Sequence, residues 1–115
     1  AMSHKELEDD LGDDHGNLRF GLLLRGELIG RIDLVPANPP KYGLGYWLAE
    51  KVTGKGYATA ALQTLIAFAR MDLRATDIYA GVTHGNRRSV TLLERVGFLP
   101  VADFNSYRRF HLRLA

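Results

Sequence analysis

The 115-residue sequence contains no cysteine. That excludes disulfides and thiol chemistry from this chain and fits a reducing compartment, so a cytoplasmic location is expected. No apolar run approaches the roughly 20 residues needed to cross a bilayer. The start lacks the basic region and apolar core of a signal peptide, and Ala1-Met2 reads as a remnant ahead of a native start. Only 4 prolines occur, so the adjacent pair Pro39-Pro40 marks one firm break in regular structure. Net charge is only +2, too small an excess to signal nucleic-acid binding by itself.

What is present is the balance of an ordinary globular domain, with 46% hydrophobic and 24% charged residues. The length suits one domain. Glu6 to Asp14 is strongly acidic, whereas Arg87, Arg88, Arg108, Arg109 and Arg113 make the C-terminal half basic. Those arginines either face an anionic cofactor or form a solvated surface.

Ser3 to Leu11 carries a capping-box spacing, Ser3 with Glu6, and a short helix is expected there, followed by a loop to Asn17. Residues 1–17 thus form an acidic segment ahead of the main domain, 18–115. Leu18–Leu24 and Leu28–Val35 alternate as strands around a tight turn at Arg25-Gly26-Glu27. Tyr42–Ala49 is a third strand. Ala58, Ala61, Leu62, Leu65, Ile66 and Ala69 then recur at helical spacing. Asp77–Thr83 alternates again, Asn86 caps a second helix to about Val96, and Phe98–Ala102 and Tyr107–Leu114 close the domain as strands. The expected fold is α/β: a mixed, mostly antiparallel sheet with helices on both faces.

Between the third strand and the first helix lies Thr53-Gly54-Lys55-Gly56-Tyr57-Ala58. Two glycines flank a lysine where a strand hands over to a helix. Helix N-termini present unpaired N–H groups and partial positive charge, and glycine lets a backbone approach an anion closely. The stretch is neither a Walker A loop nor a dinucleotide fingerprint. It suits a phosphate-bearing ligand, and equally a simple tight turn.

Three segments in order, G-Y-W-L, T-G-K-G-Y-A-T-A-A-L and N-R-R-S-V-T-L-L-E-R-V-G-F, together resemble the GNAT acetyltransferase superfamily, nearest its branch that acetylates protein N-termini, ribosomal proteins included. The resemblance runs from about Leu18 to Leu114. It implies acetyl transfer from acetyl-CoA, as co-substrate and without a metal, to an amine such as a peptide N-terminus or a small molecule. It also implies a V-shaped gap between the two central strands that receives pantetheine. The coenzyme diphosphate would sit on Thr53, Gly54, Lys55, Gly56, Tyr57, Ala58 and Thr59. Backbone of Trp47, Leu48 and Ala49 would hold the pantetheine and thioester. Asn86 would contact the pantetheine arm, and Ser89 would stand near the coenzyme sulfur as proton donor.

The sequence departs from that pattern in three places. Thr53 replaces the usual Gln or Arg of the loop. Leu93 stands where many members have a general-acid tyrosine. Gly43 stands where the branch often has a glutamate base. Asp33, Glu27 and His84 remain as candidate bases, histidine being the side chain that changes charge near neutral pH. Without cysteine, transfer would proceed by direct attack in a ternary complex. The same departures leave open an acyl-CoA-binding sensor or partner subunit without turnover. An exposed sheet edge would favour a homodimer. Neither a membrane nor a nucleic acid is expected as partner.

Overall fold

The computed structural model describes residues 7–9, 16–49 and 56–115. Seven strands and two helices follow in the order β1 (Leu7–Asp9), β2 (Leu18–Leu24), β3 (Glu27–Pro36), β4 (Lys41–Leu48), α1 (Tyr57–Met71), β5 (Asp77–Thr83), α2 (Arg87–Arg95), β6 (Leu99–Asp103) and β7 (Tyr107–Arg113). They form one sheet of spatial order β1-β2-β3-β4-β5-β7-β6. Every neighbouring pair is antiparallel except β4 and β5, which α1 joins in parallel. A parallel pair needs a long crossover, and the 15-residue α1 supplies it.

The elements from β2 onward match the sequence periodicity to within a residue or two. The N-terminal segment does not. Leu7–Asp9, where a helix is expected, is strand β1, paired with Phe20, Gly21 and Leu22 of β2. The capping-box spacing is a local signal, and the open edge of β2 offers the backbone a competing set of partners. The rest of that stretch lies outside the described residues.

The core is built on one face of the sheet. Phe20, Leu22, Ile32, Leu34, Tyr42, Leu44, Ile78, Ala80, Val82 and Phe110 point to it, as the two-residue period dictates. A bulge adds Ile29: β3 pairs Leu28 with Leu23 and Gly30 with Leu22, which leaves Ile29 over and turns it inward. Ala61, Leu62, Leu65 and Ala69 of α1 and Leu93 of α2 join the same core. Helices on both faces are therefore not found among the described residues. Each helix carries one apolar stripe, and a stripe does not reveal which face of a sheet it will cover. The opposite face keeps Leu28, Val35 and Trp47 exposed. There Tyr79 stacks on His111 at 4.7 Å, and Phe104 stacks on Tyr107 at 4.8 Å. The Arg109 guanidinium lies over Tyr79 and Phe104.

Two details fix the strands that frame the site. Gly30 lies so close to β4 that a Cβ would stand 2.6 Å from the Trp47 carbonyl oxygen. At the start of β5, the Thr76 hydroxyl donates to Asp77 Oδ1 at 2.7 Å, and His111 Nε2 donates to Asp77 Oδ2 at 2.6 Å, tying β5 to β7. These two bonds, the threonine's foremost, hold the Asp77 carboxyl below the usual carboxylate range.

Replacing Gly30 with Ala should push β4 from β3 and destabilise the fold by about 1–3 kcal/mol, measurable by denaturant titration. Because the folded-state pKa of Asp77 is depressed, its contribution is complete above the unfolded value near 4 and fades as pH falls through the lower folded value. Asp77→Asn should therefore flatten the acid limb of a stability-versus-pH curve and leave its shape near neutrality alone.

Candidate active site

The site forms where the β4–β5 ladder stops. Its pairs run Lys41–Asp77, Tyr42–Ile78, Gly43–Tyr79 and Leu44–Ala80, and then end. Beyond them β4 stays with β3 as far as Leu48 opposite Gly30, and β5 stays with β7 as far as Thr83 opposite Tyr107. Each central strand is committed to its outer neighbour, so the two part as a V.

On the helix side the gap opens into a cavity of about 720 Å³. The end of β4 contributes Tyr46, Trp47 and Leu48, the start of α1 contributes Gly56, Ala58 and Thr59, and α2 contributes Ser89 behind its cap Asn86. Gly56 has φ 81°, a left-handed conformation that favours glycine, and it turns the chain into α1. The first turn of α1 has no side-chain cap and no acidic residue. Among the described residues its leading N–H groups are left to face the cavity, which is where an anion is stabilised.

Thr53, Gly54 and Lys55, the first half of the glycine-lysine stretch, lie outside the described residues. Tyr57 is half-buried in the first turn of α1 and packs against the core. Asn86 is the N-cap of α2, and its side-chain oxygen accepts the Ser89 N–H at 3.3 Å. That bond leaves the amide NH₂ of Asn86 available to the cavity it lines. Ala49 is not among the lining residues: its N–H donates to the Ile29 carbonyl at 2.7 Å and is spent on β3.

The candidate bases stand apart from this cavity. Asp33 sits on the open face of β3, opposite Gly45, in an ion pair with Arg31 at 3.2 Å. His84 follows β5, and its Nε2 donates to the Phe104 carbonyl at 2.7 Å, so Nδ1 is the nitrogen left to accept a proton. Leu93, at the position of the absent tyrosine, is fully buried core.

Tyr46 was hidden in the sequence by its place in an apolar strand. Its hydroxyl is buried, makes no well-aligned hydrogen bond within the protein, and lies beside the Ser89 side chain. Burial pushes this phenol up from its ordinary value, and the neighbouring serine opposes the shift more weakly. An orphaned buried hydroxyl at the mouth of the gap fits a ligand that supplies the missing partner. The only sequence signal for it was a tyrosine falling on the core side of a strand just before the glycine turn.

On the open face the same gap is floored by Gly43, Gly45 and Gly81, which bound a shallow trough of about 340 Å³ with Val35, Tyr79, Tyr107 and Arg109. Two cavities thus meet the parted strands from opposite sides of the sheet. Among the described residues no three His, Asp or Glu side chains converge as a metal site, and no helix is long and apolar enough to cross a membrane.

A family model described as an acetyltransferase (GNAT) domain matches residues 2–99. The YdaF protein of Bacillus subtilis (strain 168), whose name gives it a provisional role as a ribosomal N-acetyltransferase, is 36% identical over 88 residues, which cover 75% of this chain and 48% of that protein. The chain therefore spans about half the length of this curated relative. The N-acetyltransferase PseH of Campylobacter jejuni, solved in complex with acetyl coenzyme A, superposes with a TM-score of 0.78 at 18% identity, covering 89% of this chain and 71% of that one. The dodecameric spermidine N-acetyltransferase of Vibrio cholerae gives a TM-score of 0.77 at 23% identity, covering 88% and 67%. At these identities the structural likeness is one of fold. With the family model spanning most of its length and the parted-strand fold in place, the chain belongs to the GNAT acetyltransferase family.

Proposed function

We propose that the chain carries the acetyl-CoA site of an N-acetyltransferase whose acceptor is an amine, a peptide N-terminus or a small-molecule amine. The observation that carries this reading is the end of the β4–β5 ladder at Leu44 and Ala80, directly beside the uncapped first turn of α1. The coenzyme diphosphate would take the free N–H groups of that turn. Its pantetheine would lie along the unpaired edge of β4 at Trp47 and Leu48, within reach of the Asn86 amide. PseH, which shares the fold, was solved with acetyl coenzyme A, and that supports the choice of co-substrate. The name of YdaF supports a peptide N-terminus, and that of the Vibrio enzyme a polyamine.

In this reading the acceptor enters from the open face, over the glycine floor, and meets the thioester through the gap. The amine nitrogen attacks the thioester carbon, the C–S bond breaks, and the thiolate sulfur takes a proton. Ser89 and Tyr46, which line the cavity, would give it, both being protonated at neutral pH. The proton lost by the amine goes to water or to His84 Nδ1, while Asp33 is held by Arg31. A homodimer formed along a sheet edge is part of the proposal, and the dodecameric relative shows that assembly is compatible with the fold. The alternative of an acyl-CoA sensor without turnover is favoured by Gly43 and Leu93, which leave two usual catalytic positions without functional groups.

Titration calorimetry with acetyl-CoA, together with thiol release over a panel of peptides and amines, separates the two. Binding with release supports the transferase, binding without release across the panel supports the sensor, and no binding overturns both. The double variant Tyr46→Phe, Ser89→Ala should lower thiol release by about 10²-fold with coenzyme affinity little changed. The same phenol has a signature in stability. With its folded pKa raised, the unfolded chain loses the proton first, so stability should fall as pH rises past about 10, and Tyr46→Phe should remove part of that fall.

A further inference from the structure

The glycine-floored trough on the open face carries a pattern that packing does not explain. Glycine inside a strand costs backbone entropy and forgoes side-chain contacts, so its presence there marks a bulge, a close approach or a ligand. Gly81 has a close approach: a Cβ there would stand 3.1 Å from the Tyr107 ring that lies over it. Gly43 and Gly45 have no such reason inside the protein. A Cβ at Gly45 would meet nothing within 4 Å, and one at Gly43 would meet the Val35 carbonyl oxygen at 3.7 Å, an ordinary contact. Neither has a positive φ. Gly45 is one residue beyond the last pair of the β4–β5 ladder, Leu44 with Ala80, so the bare floor runs to the mouth of the gap.

On the β7 side the trough is cationic. Arg109 stands opposite Gly81 in the β5–β7 register, and its guanidinium is 5.1 Å from the centre of the Phe104 ring and 6.0 Å from that of Tyr79. Phe104 is stacked in turn on Tyr107. Cation–π contact with these rings positions the guanidinium and leaves its N–H donors without an acceptor. Among the described residues no carboxylate pairs with Arg109, and none lines the trough. Two carboxylates of the same face already have partners: Arg31 holds Asp33, and Thr76 and His111 hold Asp77. A solvated arginine accounts for a cation resting on aromatic rings. It does not account for a bare floor leading from that cation to the gap where the strands part.

Resting on the reading above, in which an amine acceptor enters from this face, we propose that Arg109 is a specificity residue for a carboxylate on the acceptor, and that the acceptor is a peptide N-terminus with an acidic side chain at its second residue. Neighbouring strands lie about 4.8 Å apart, so β7 is about 7 Å, one and a half spacings, from the middle of the gap. Two extended residues also span about 7 Å. A peptide whose α-amine rests in the gap and whose chain crosses the strands therefore brings its second side chain to β7. The α-carboxylate of a free amino acid, bonded to the same carbon as the amine, does not reach so far. A shallow trough of about 340 Å³ suits a chain end lying across the sheet, whereas a small molecule is ordinarily enclosed by its pocket. The guanidinium fork matches the two oxygens of a carboxylate, and its charge disfavours a lysine at the same place.

The test takes the intact chain saturated with coenzyme A and peptides alike except at the second residue, which is Glu, Gln or Lys, each with a dye at its C-terminus read by fluorescence polarisation. The Glu peptide should bind about fivefold more tightly than the Gln peptide, and the Lys peptide least, with the margin shrinking as salt rises because the guanidinium is exposed. In Arg109→Gln the Glu and Gln peptides should come within about twofold of each other. Arg109→Glu should invert the order in favour of Lys, and Arg109→Lys, with the charge but not the fork, should keep part of the preference. A melting curve of each variant shows that it is folded. With acetyl-CoA in place of coenzyme A, the same order should appear in the KM of thiol release more than in kcat. Equal binding of the Glu and Gln peptides by the unaltered chain, full preference kept in Arg109→Gln, or free glutamate displacing the peptide as well as unlabelled peptide does, overturns the assignment and leaves the acetyltransferase reading standing. The expected preference without thiol release upholds the peptide site and overturns turnover. Binding of none of the peptides overturns the proposal.

Discussion

Everything the site does depends on one ladder stopping early. Parallel strands β4 and β5 pair over four positions and then part, because each is held for its full length by an antiparallel partner on its other side. The β3–β4 ladder continues to Leu48, and Ala49 adds one more bond to Ile29. The β5–β7 ladder continues to Thr83. The gap lies where two strands that keep their outer partners no longer pair with each other. Behind β4, Gly30 lets β3 approach the Trp47 carbonyl closely.

That origin explains why so much of the architecture was legible and so little of the chemistry. Alternation and the helical stripe are properties of single segments, and they located β2 to β7 and both helices closely. The parting of β4 and β5 is a relation between segments far apart in sequence, and only the family resemblance brought it into view. Local patterning failed at the N-terminus, where a capping-box spacing lost to the free edge of β2. It also could not say which face of the sheet the helices would choose. Tyr46 was passed over for a related reason. Its ring is core-like, and only the arrangement of α2 beside β4 leaves its hydroxyl buried and without an aligned partner.

The departures at Gly43 and Leu93 acquire a physical setting. Leu93 is fully buried and ties α2 to the core, so a phenol there would have to displace packed apolar atoms. Gly43 helps floor the trough on the open face, where a carboxylate side chain would occupy the space the glycines leave. In the proposed transfer both departures would shift the burden of proton transfer toward Tyr46, Ser89 and solvent. The arginines of α2, in contrast, concentrate charge on the side from which the coenzyme would enter.

The uncapped start of α1 has one more consequence. A helix end whose N–H groups find no side-chain partner frays readily, and its opening is governed by whatever anion sits before it. The first turn of α1, from Tyr57 to Ala60, is joined to Gly56 by one described backbone bond, from the Ala60 N–H to the Gly56 carbonyl. Amide-proton exchange in that turn would accordingly slow as the cavity fills and quicken as it empties, making its backbone protons a built-in gauge of occupancy.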